Sequence, residues 1–325
     1  MKYVEFGKTG QRVSEMCLGT MMFGDRCDEA ESERILSAAV DAGTTFVDTA
    51  ASYCDGRTEE IVGSIVKGKR DKLFITTKVT KSTDGDWVRQ SIDESLARLQ
   101  MDYVDLYLIH WPREQMHTVE MMATLNDVVT QGKARFVGCS NFPAWLVAHC
   151  NAIAQREGWA RLVGNQVPFN LIERGIEVEV LPQAVAEGIA ITTYRPLLVG
   201  ILAGKYDPDQ PMPEDSRGQT DKRIAVWVEK YADGLRKFNR FAADRGLHPA
   251  QLAVAWVNRT PGVTAPIVGV SSLRQLQSSI GAFEVTLSDD EYSEITGMFD
   301  TAVKEEAGGS YPSLRRAFNL VADAA

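Results

Sequence analysis

Thr45-Phe-Val-Asp-Thr-Ala-Ala-Ser-Tyr53 is an apolar strand that stops at Asp48 and carries a phenol five residues later. Strand ends of this kind recur. Leu73-Phe-Ile-Thr-Thr-Lys78 ends in an ammonium, and Val104-Asp-Leu-Tyr-Leu-Ile-His110 ends in an imidazole. Asp48, Lys78 and His110 are spaced by 30 and 32 residues, about one strand, loop and helix unit.

The same rhythm extends in both directions. Residues 4–6 and 12–14 flank Gly7-Lys-Thr-Gly10 and predict a hairpin ahead of a first buried strand at 16–18. Ile35, Ala38, Ala39 and Ala42 mark one face of a helix over 28–42, ended by Gly43. Thr58-Glu-Glu-Ile-Val62 opens a second helix with acids in its first turn. Further helices are expected over 87–99, 119–131, from 143, and over 175–187, 223–245 and 249–258. Strands five to eight are expected at 134–138, 162–166, 189–193 and 265–268, and residues 200–220 form a long Gly-, Pro- and Asp-rich loop. Eight strands alternating with helices predict a single (β/α)8 TIM barrel over 1–325, with an N-terminal β-hairpin and extra helices. Its core runs from about 15 to 300, and the partly apolar tail, 301–325, is expected to pack over one barrel end. The rival, an open doubly wound sheet, lacks support because no G-x-G-x-x-G follows any strand.

Composition narrows the function classes. The 325 residues are 44% hydrophobic and 24% charged, enough to bury a large core. A net charge of -9 without a basic cluster argues against nucleic acid as a partner. Met1-Lys-Tyr-Val-Glu-Phe-Gly-Lys8 has no apolar signal region and no stretch could span a bilayer, so a cytosolic (cytoplasmic) protein without a membrane partner is expected. Cys17, Cys27, Cys54, Cys139 and Cys150 show neither CxxC nor zinc spacing, so they read as reduced thiols and no metal site is expected.

In a barrel the strand C-terminal ends meet at one face, which would gather Asp48, Lys78 and His110 around a mouth with Tyr53 overhanging it. An ammonium stabilises a phenolate and lowers the phenol's pKa, and a carboxylate holds the ammonium in place. A histidine can hydrogen-bond a carbonyl oxygen. The set suits proton transfer at an oxygen as carbonyl and alcohol interconvert. Taken singly, each residue has a plain alternative as a helix cap, a packed ring, a solvated charge or a satisfied polar group.

Longer motifs add to this. Val47-Asp-Thr-Ala-Ala-Ser-Tyr53 with Gly56-Arg-Thr-Glu-Glu-Ile-Val-Gly63 resembles the aldo-keto reductase signature. Thr77-Lys78, Tyr107-Leu-Ile-His110, Gly138-Cys-Ser-Asn141 and Asn165-Gln166 are similar to further motifs of that family. So are Tyr194-Arg-Pro-Leu-Leu-Val-Gly-Ile-Leu-Ala-Gly-Lys-Tyr206 and Ile267-Val-Gly-Val-Ser-Ser272. The likeness spans roughly residues 3 to 300. It implies an NAD(P)H-dependent oxidoreductase in which hydride passes to a carbonyl carbon while Tyr53 protonates the oxygen. Asp48 and Lys78 would tune the phenol and His110 would orient the substrate. Ser140, Asn141 and Gln166 would hold the nicotinamide carboxamide, with Tyr194 stacked on the ring. The rest of the dinucleotide would lie across Gly19, Thr20 and Met21, across Arg195, Pro196, Leu197, Gly200, Leu202 and Lys205, and along Gly269, Ser271, Gln275 and Ser279. The chain has Arg195 where relatives often place serine and Ser279 where they often place asparagine. Arg195, Lys205, Arg217 and Arg274 are candidates for a 2'-phosphate, which favours NADP(H) and leaves NAD(H) open.

Met22, Phe23 and Trp111 adjoin the expected mouth as an apolar wall for aldehydes, ketones or a sugar ring. The partner is therefore a small carbonyl or alcohol, while the residues fix neither its identity, nor the working direction, nor an oligomeric state. Two other readings compete: a cofactor-binding regulatory subunit of a membrane channel, as some relatives are, and a non-redox lyase using a Lys78 Schiff base. The intact set of four, and the lack of an inactivating segment before Met1, favour catalysis.

Overall fold

The computed structural model describes residues 1–214 and 216–299. Strands β1 (Tyr3–Glu5) and β2 (Arg12–Ser14) pair antiparallel as the hairpin. Eight parallel strands then close into a barrel: β3 (Cys17–Gly19), β4 (Phe46–Asp48), β5 (Phe74–Val79), β6 (Val104–Ile109), β7 (Ala134–Ser140), β8 (Leu162–Pro168), β9 (Ala190–Tyr194) and β10 (Ala265–Gly269). They adjoin in chain order, and β10 closes the ring against β3. Every residue of β5 and β6 is buried, as strands packed on both faces must be.

Helices surround the ring: α1 (Glu29–Asp41), α2 (Arg57–Val66), α3 (Gly85–Leu99), α4 (Thr118–Thr130), α5 (Ala144–Glu157), α6 (Val180–Glu187), α7 (Lys222–Lys230), α8 (Ala232–Asp244), α9 (Pro249–Arg259), α10 (Leu273–Gly281) and α11 (Asp289–Gly297). The TIM-barrel expectation holds, with three local differences. The helix expected over 175–187 is a 3-10 turn, Gly175–Glu177, followed by α6, with Glu179 outside the helical range at φ -138 between them. The helix expected over 223–245 breaks at Tyr231, whose φ of -105 leaves the helical range and separates α7 from α8. The loop expected at 200–220 overlaps one 3-10 turn, Leu198–Ala203, and contains a second, Arg217–Gln219. The expected packing of the tail, 301–325, lies outside the described residues.

One end of the barrel has a floor. Phe6, at the hairpin's bend, is fully buried against Phe46 and Phe74, with ring centroids 5.8 Å and 4.9 Å away. The Lys8 N–H donates to the Gly188 carbonyl at 2.9 Å, and a Cβ on Gly7 would stand 2.5 Å from that oxygen, so only glycine fits this contact. Polar side chains collect at the opposite end, where the strands finish.

Outside the ring, α2 and α3 touch through Gly63. A Cβ there would fall 2.3 Å from the Leu99 carbonyl oxygen, which belongs to backbone and cannot rotate away. Gly63→Ala should therefore cost about 1–3 kcal/mol, read as a lower urea midpoint at unchanged slope. An unchanged midpoint would show that the two helices separate freely.

Candidate active site

Lys78 sits inside the barrel, fully buried. A charged amine there is costly unless each of its three donors is satisfied. They go to Asp48 Oδ2 at 2.8 Å, the Thr49 carbonyl at 2.8 Å and Tyr53 Oη at 3.3 Å. The other Asp48 oxygen, Oδ1, accepts from Gln166 Nε2 at 2.8 Å. Register brings these groups together: Asp48 ends β4 opposite Thr76 of β5, and Gln166 of β8 lies opposite Ser140 of β7. Burial alone pushes the Lys78 pKa down, but the Asp48 charge and the bonds to Asp48 and Tyr53 outweigh it, and the net shift is upward. Lys78 is a held cation.

The phenol corrects one expectation. Burial pushes the Tyr53 pKa up, Lys78 opposes that, and the net shift is upward, not below the ordinary phenol value. Tyr53 therefore rests as a protonated acid beside the ammonium that would stabilise its anion. It stands in a 3-10 turn, Tyr53–Gly56, where the chain leaves β4 for α2.

His110 follows β6. Its N–H donates to the Val79 carbonyl at 3.2 Å and its carbonyl accepts from Asn141 Nδ2 at 3.1 Å. The ring lies edge-on to Tyr53, centroids 6.3 Å apart, and Trp111 stacks beside it at 6.4 Å. Burial, helped by the Lys78 and Arg113 charges, pushes the imidazole pKa down to about 3. The ring is neutral at ordinary pH, and its buried Nδ1 has no partner among the described residues. A neutral imidazole can hydrogen-bond a carbonyl oxygen without competing with Tyr53 as the acid.

The expected carboxamide set also converges. Ser140 Oγ and the Asn141 N–H both donate to the Gln166 carbonyl at 2.8 Å, and Tyr194 Oη donates to Asn141 Oδ1 at 2.7 Å. Asp48 is an acceptor, so the Gln166 amide must turn its NH2 toward it, leaving Oε1 to accept from a bound carboxamide. Beside this set, Gly19 and Gly269 are register partners at adjoining strand ends, and a Cβ on Gly269 would meet only Gly19 O at 3.9 Å. Side-chain-free strand ends beside a set of amides fit a dinucleotide's close approach.

Other expected contacts divide. Arg195 is exposed at φ 59, its guanidinium 5.7 Å from the Tyr194 ring centroid, and Met21 is exposed at the rim. Pro196 is buried and Leu197 half-buried behind them. Gly200 lies against Lys205, and Arg217 opens the turn that folds back on Tyr206 through the Gly218 N–H. Arg274 is exposed and Ser279 half-buried on α10, while Ser271 donates to Gln275 Oε1 at 2.8 Å through its own N–H. Three side chains are fully buried. Thr20 is buried with its N–H and hydroxyl both committed to the Asp48 carbonyl. Leu202 is fully buried in the core. Phe23 is fully buried too, and its carbonyl accepts from Thr58 Oγ1, so the apolar wall reduces to Met22 and Trp111.

The sequence reading missed the Thr49 carbonyl, which carries no side-chain signal. It also read Glu59 only as a first-turn acid of a helix, and did not foresee that the carboxylate is buried between Thr77 and Arg98. Among the described residues, no three or more His, Cys, Asp or Glu side chains gather as metal ligands.

Comparison with known proteins agrees with this geometry. The model of the Aldo/keto reductase family matches residues 15–300. The uncharacterized oxidoreductase YrpG of Bacillus subtilis (strain 168) is 34% identical over 319 residues, 92% of this chain and 96% of its own. The aldo-keto reductase YhdN of the same organism is 30% identical, over 96% of this chain and 97% of its own. A probable voltage-gated potassium channel subunit beta of Oryza sativa subsp. japonica is 31% identical, over 88% of this chain and 92% of its own. An acid, a held ammonium and a neutral imidazole at the open end of an eight-stranded barrel, matched along nearly the whole chain, place this protein in the aldo/keto reductase family of NAD(P)H-dependent oxidoreductases.

Proposed function

We propose that the protein uses NADP(H) to interconvert aldehydes or ketones, sugars among them, with alcohols, and that Tyr53 is the proton donor. The observation that carries this reading is the contact of buried Lys78 with Asp48 and Tyr53 together. A bound nicotinamide would lie against Ser140, Asn141, Gln166 and Tyr194 and supply the hydride. The chain's own groups do the rest. His110 bonds the carbonyl oxygen and aims it at Tyr53. The phenol O–H breaks as the substrate's new O–H forms, and the Lys78 ammonium stabilises the phenolate left behind. Asp48 keeps that ammonium from following the proton. Arg195, Lys205, Arg217 and Arg274 supply the cations that favour a 2'-phosphate, and Met22 with Trp111 lines the substrate side.

The two competing readings fare unequally. A Schiff-base lysine must be neutral to attack a carbonyl, and here the Lys78 pKa is raised and all three donors are committed. Relatives named as channel subunits support a regulatory reading, but such a role does not need a fully assembled acid, ammonium and carboxylate. Among the described residues no helix is long and apolar enough to cross a membrane.

The reading is tested with purified protein, NADPH or NADH, and a broad panel of carbonyls; failure to oxidise either cofactor with any of them would sink it. Tyr53→Phe should slow reduction by at least about 100-fold while NADPH affinity, followed by fluorescence, stays close to wild type. Full turnover in that variant would remove Tyr53 from the proton path.

Lys78→Met leaves Asp48 buried without its cation, which should cost about 3–5 kcal/mol of stability along with activity. Adding Asp48→Asn should return much of the stability and none of the turnover; recovered turnover would contradict the role given to Lys78.

The His110 imidazole gives a pH test. Its folded pKa of about 3 lies below the unfolded value, about 6.5. The unfolded chain therefore takes up the proton first, and the stability contributed is full above about pH 6.5 and lost as pH falls toward 3. Denaturant melts through this window should show a shallower loss for His110→Gln than for wild type. Parallel curves would mean that His110 is not held neutral.

A further inference from the structure

The turn that carries Tyr53 is held in an unusual conformation. Cys54, Asp55 and Gly56 lie at φ 46, 52 and 94, three consecutive left-handed residues of which two are not glycine. Such backbone persists only where its surroundings over-determine it. The surroundings here are specific. Gly56 rests directly on the Arg98 side chain, and a Cβ there would stand 2.7 Å from Arg98 Cδ and 2.8 Å from Nε. Arg98 Nε donates to Glu59 Oε2 at 2.7 Å, and Thr77 Oγ1 donates to Glu59 Oε1 at 2.5 Å. Glu59 is fully buried, so both of its oxygens are committed where no water competes.

Thr77 and Lys78 are neighbours on β5 and point to opposite faces of the ring, Lys78 inward and Thr77 outward onto α2. The contacts therefore close a loop. It runs from Tyr53 through Gly56 to Arg98, through Glu59 to Thr77, and back along one peptide to Lys78. The same phenol and ammonium meet at 3.3 Å on its inner side. Arg98 is further braced by Ser95 Oγ at 3.3 Å, on the helix that Gly63 of α2 packs against.

We infer that Glu59 and Arg98 are positioning residues that set where Tyr53 stands against Lys78, a role that rests on the proposed proton transfer from Tyr53. Neither touches the substrate or the cofactor site. They act by fixing the distance between the turn carrying the acid and the strand carrying the cation. A pair that merely strengthened the fold would change how much active protein there is. A positioning pair changes proton transfer itself.

Two variants separate these roles. Glu59→Gln is isosteric and keeps an acceptor for Thr77, and Arg98→Lys keeps the charge but loses the planar fork that reaches both Glu59 and Gly56. Each would be assayed with NADPH and a reducible aldehyde, with NADPH binding stoichiometry measured by fluorescence to count intact sites. The expected result is a kcat lowered about 10- to 100-fold, with the aldehyde KM and NADPH affinity within about twofold of wild type. The solvent deuterium isotope effect on kcat should rise, because the slowed step moves a proton; loss of folded protein would leave it unchanged. A crystal structure of Glu59→Gln should show Tyr53 Oη displaced from its 3.3 Å contact with Lys78 Nζ. Wild-type kcat and isotope effect in both variants, or an unmoved Tyr53 in that structure, overturns the inference. Should Glu59→Gln fail to fold, Arg98→Lys carries both readouts. If the wild-type protein turns over no carbonyl, the proposed reduction fails, and the position of Tyr53 in the variant structure still decides this inference.

Discussion

A protonated amine sealed inside the barrel is the constraint on which the site depends. Lys78 has no access to solvent, and an uncompensated charge in such a place would be intolerable. The fold meets the requirement largely from one strand end, with a second strand in support. The end of β4 brings Asp48 and the Thr49 carbonyl, β8 brings Gln166 to orient the carboxylate, and the turn after β4 brings the phenol as the last partner. Asp48 has one oxygen for each of two neighbours, so its orientation is fixed from both sides.

The charges then determine protonation. Tyr53 feels burial more strongly than it feels Lys78 and stays a protonated acid, while the ammonium waits to stabilise its conjugate base. His110 is driven the other way: burial and two neighbouring cations leave it neutral, suited to hydrogen bonding and not to proton donation. The environment thus separates two groups that could each act as acids, and gives the proton to one of them.

Much of this was legible because a barrel turns strand ends into neighbours. Asp48, Lys78 and His110 share a pattern, an apolar run closing on a titratable group, and closure of the ring is enough to bring them together. The amide set needed the motif resemblance, since Ser140, Asn141 and Gln166 are ordinary polar residues until paired. What escaped were features whose meaning depends on three-dimensional competition. The direction of the Tyr53 shift is the outcome of burial against a nearby charge, and no spacing weighs one against the other. Phe23 looks like a pocket wall because it follows the mouth residues in sequence, yet its ring turns into the core. Glu59 carries the marks of a helix-start acid, and only the approach of Arg98 from α3 shows that it is a buried anion. The break at Tyr231 was hidden for a similar reason, because the apolar face continues across it.

The division of labour between strands and loops has a consequence for how such a protein can diverge. The reacting groups are fixed by register, by the buried ion pair and by a floor of phenylalanines at the other end. The side proposed for the substrate carries Met22, between β3 and α1, and Trp111, between β6 and α4. On the proposed reading, replacements there would change which molecules enter while the proton path is inherited intact, making chemistry and selectivity separately heritable.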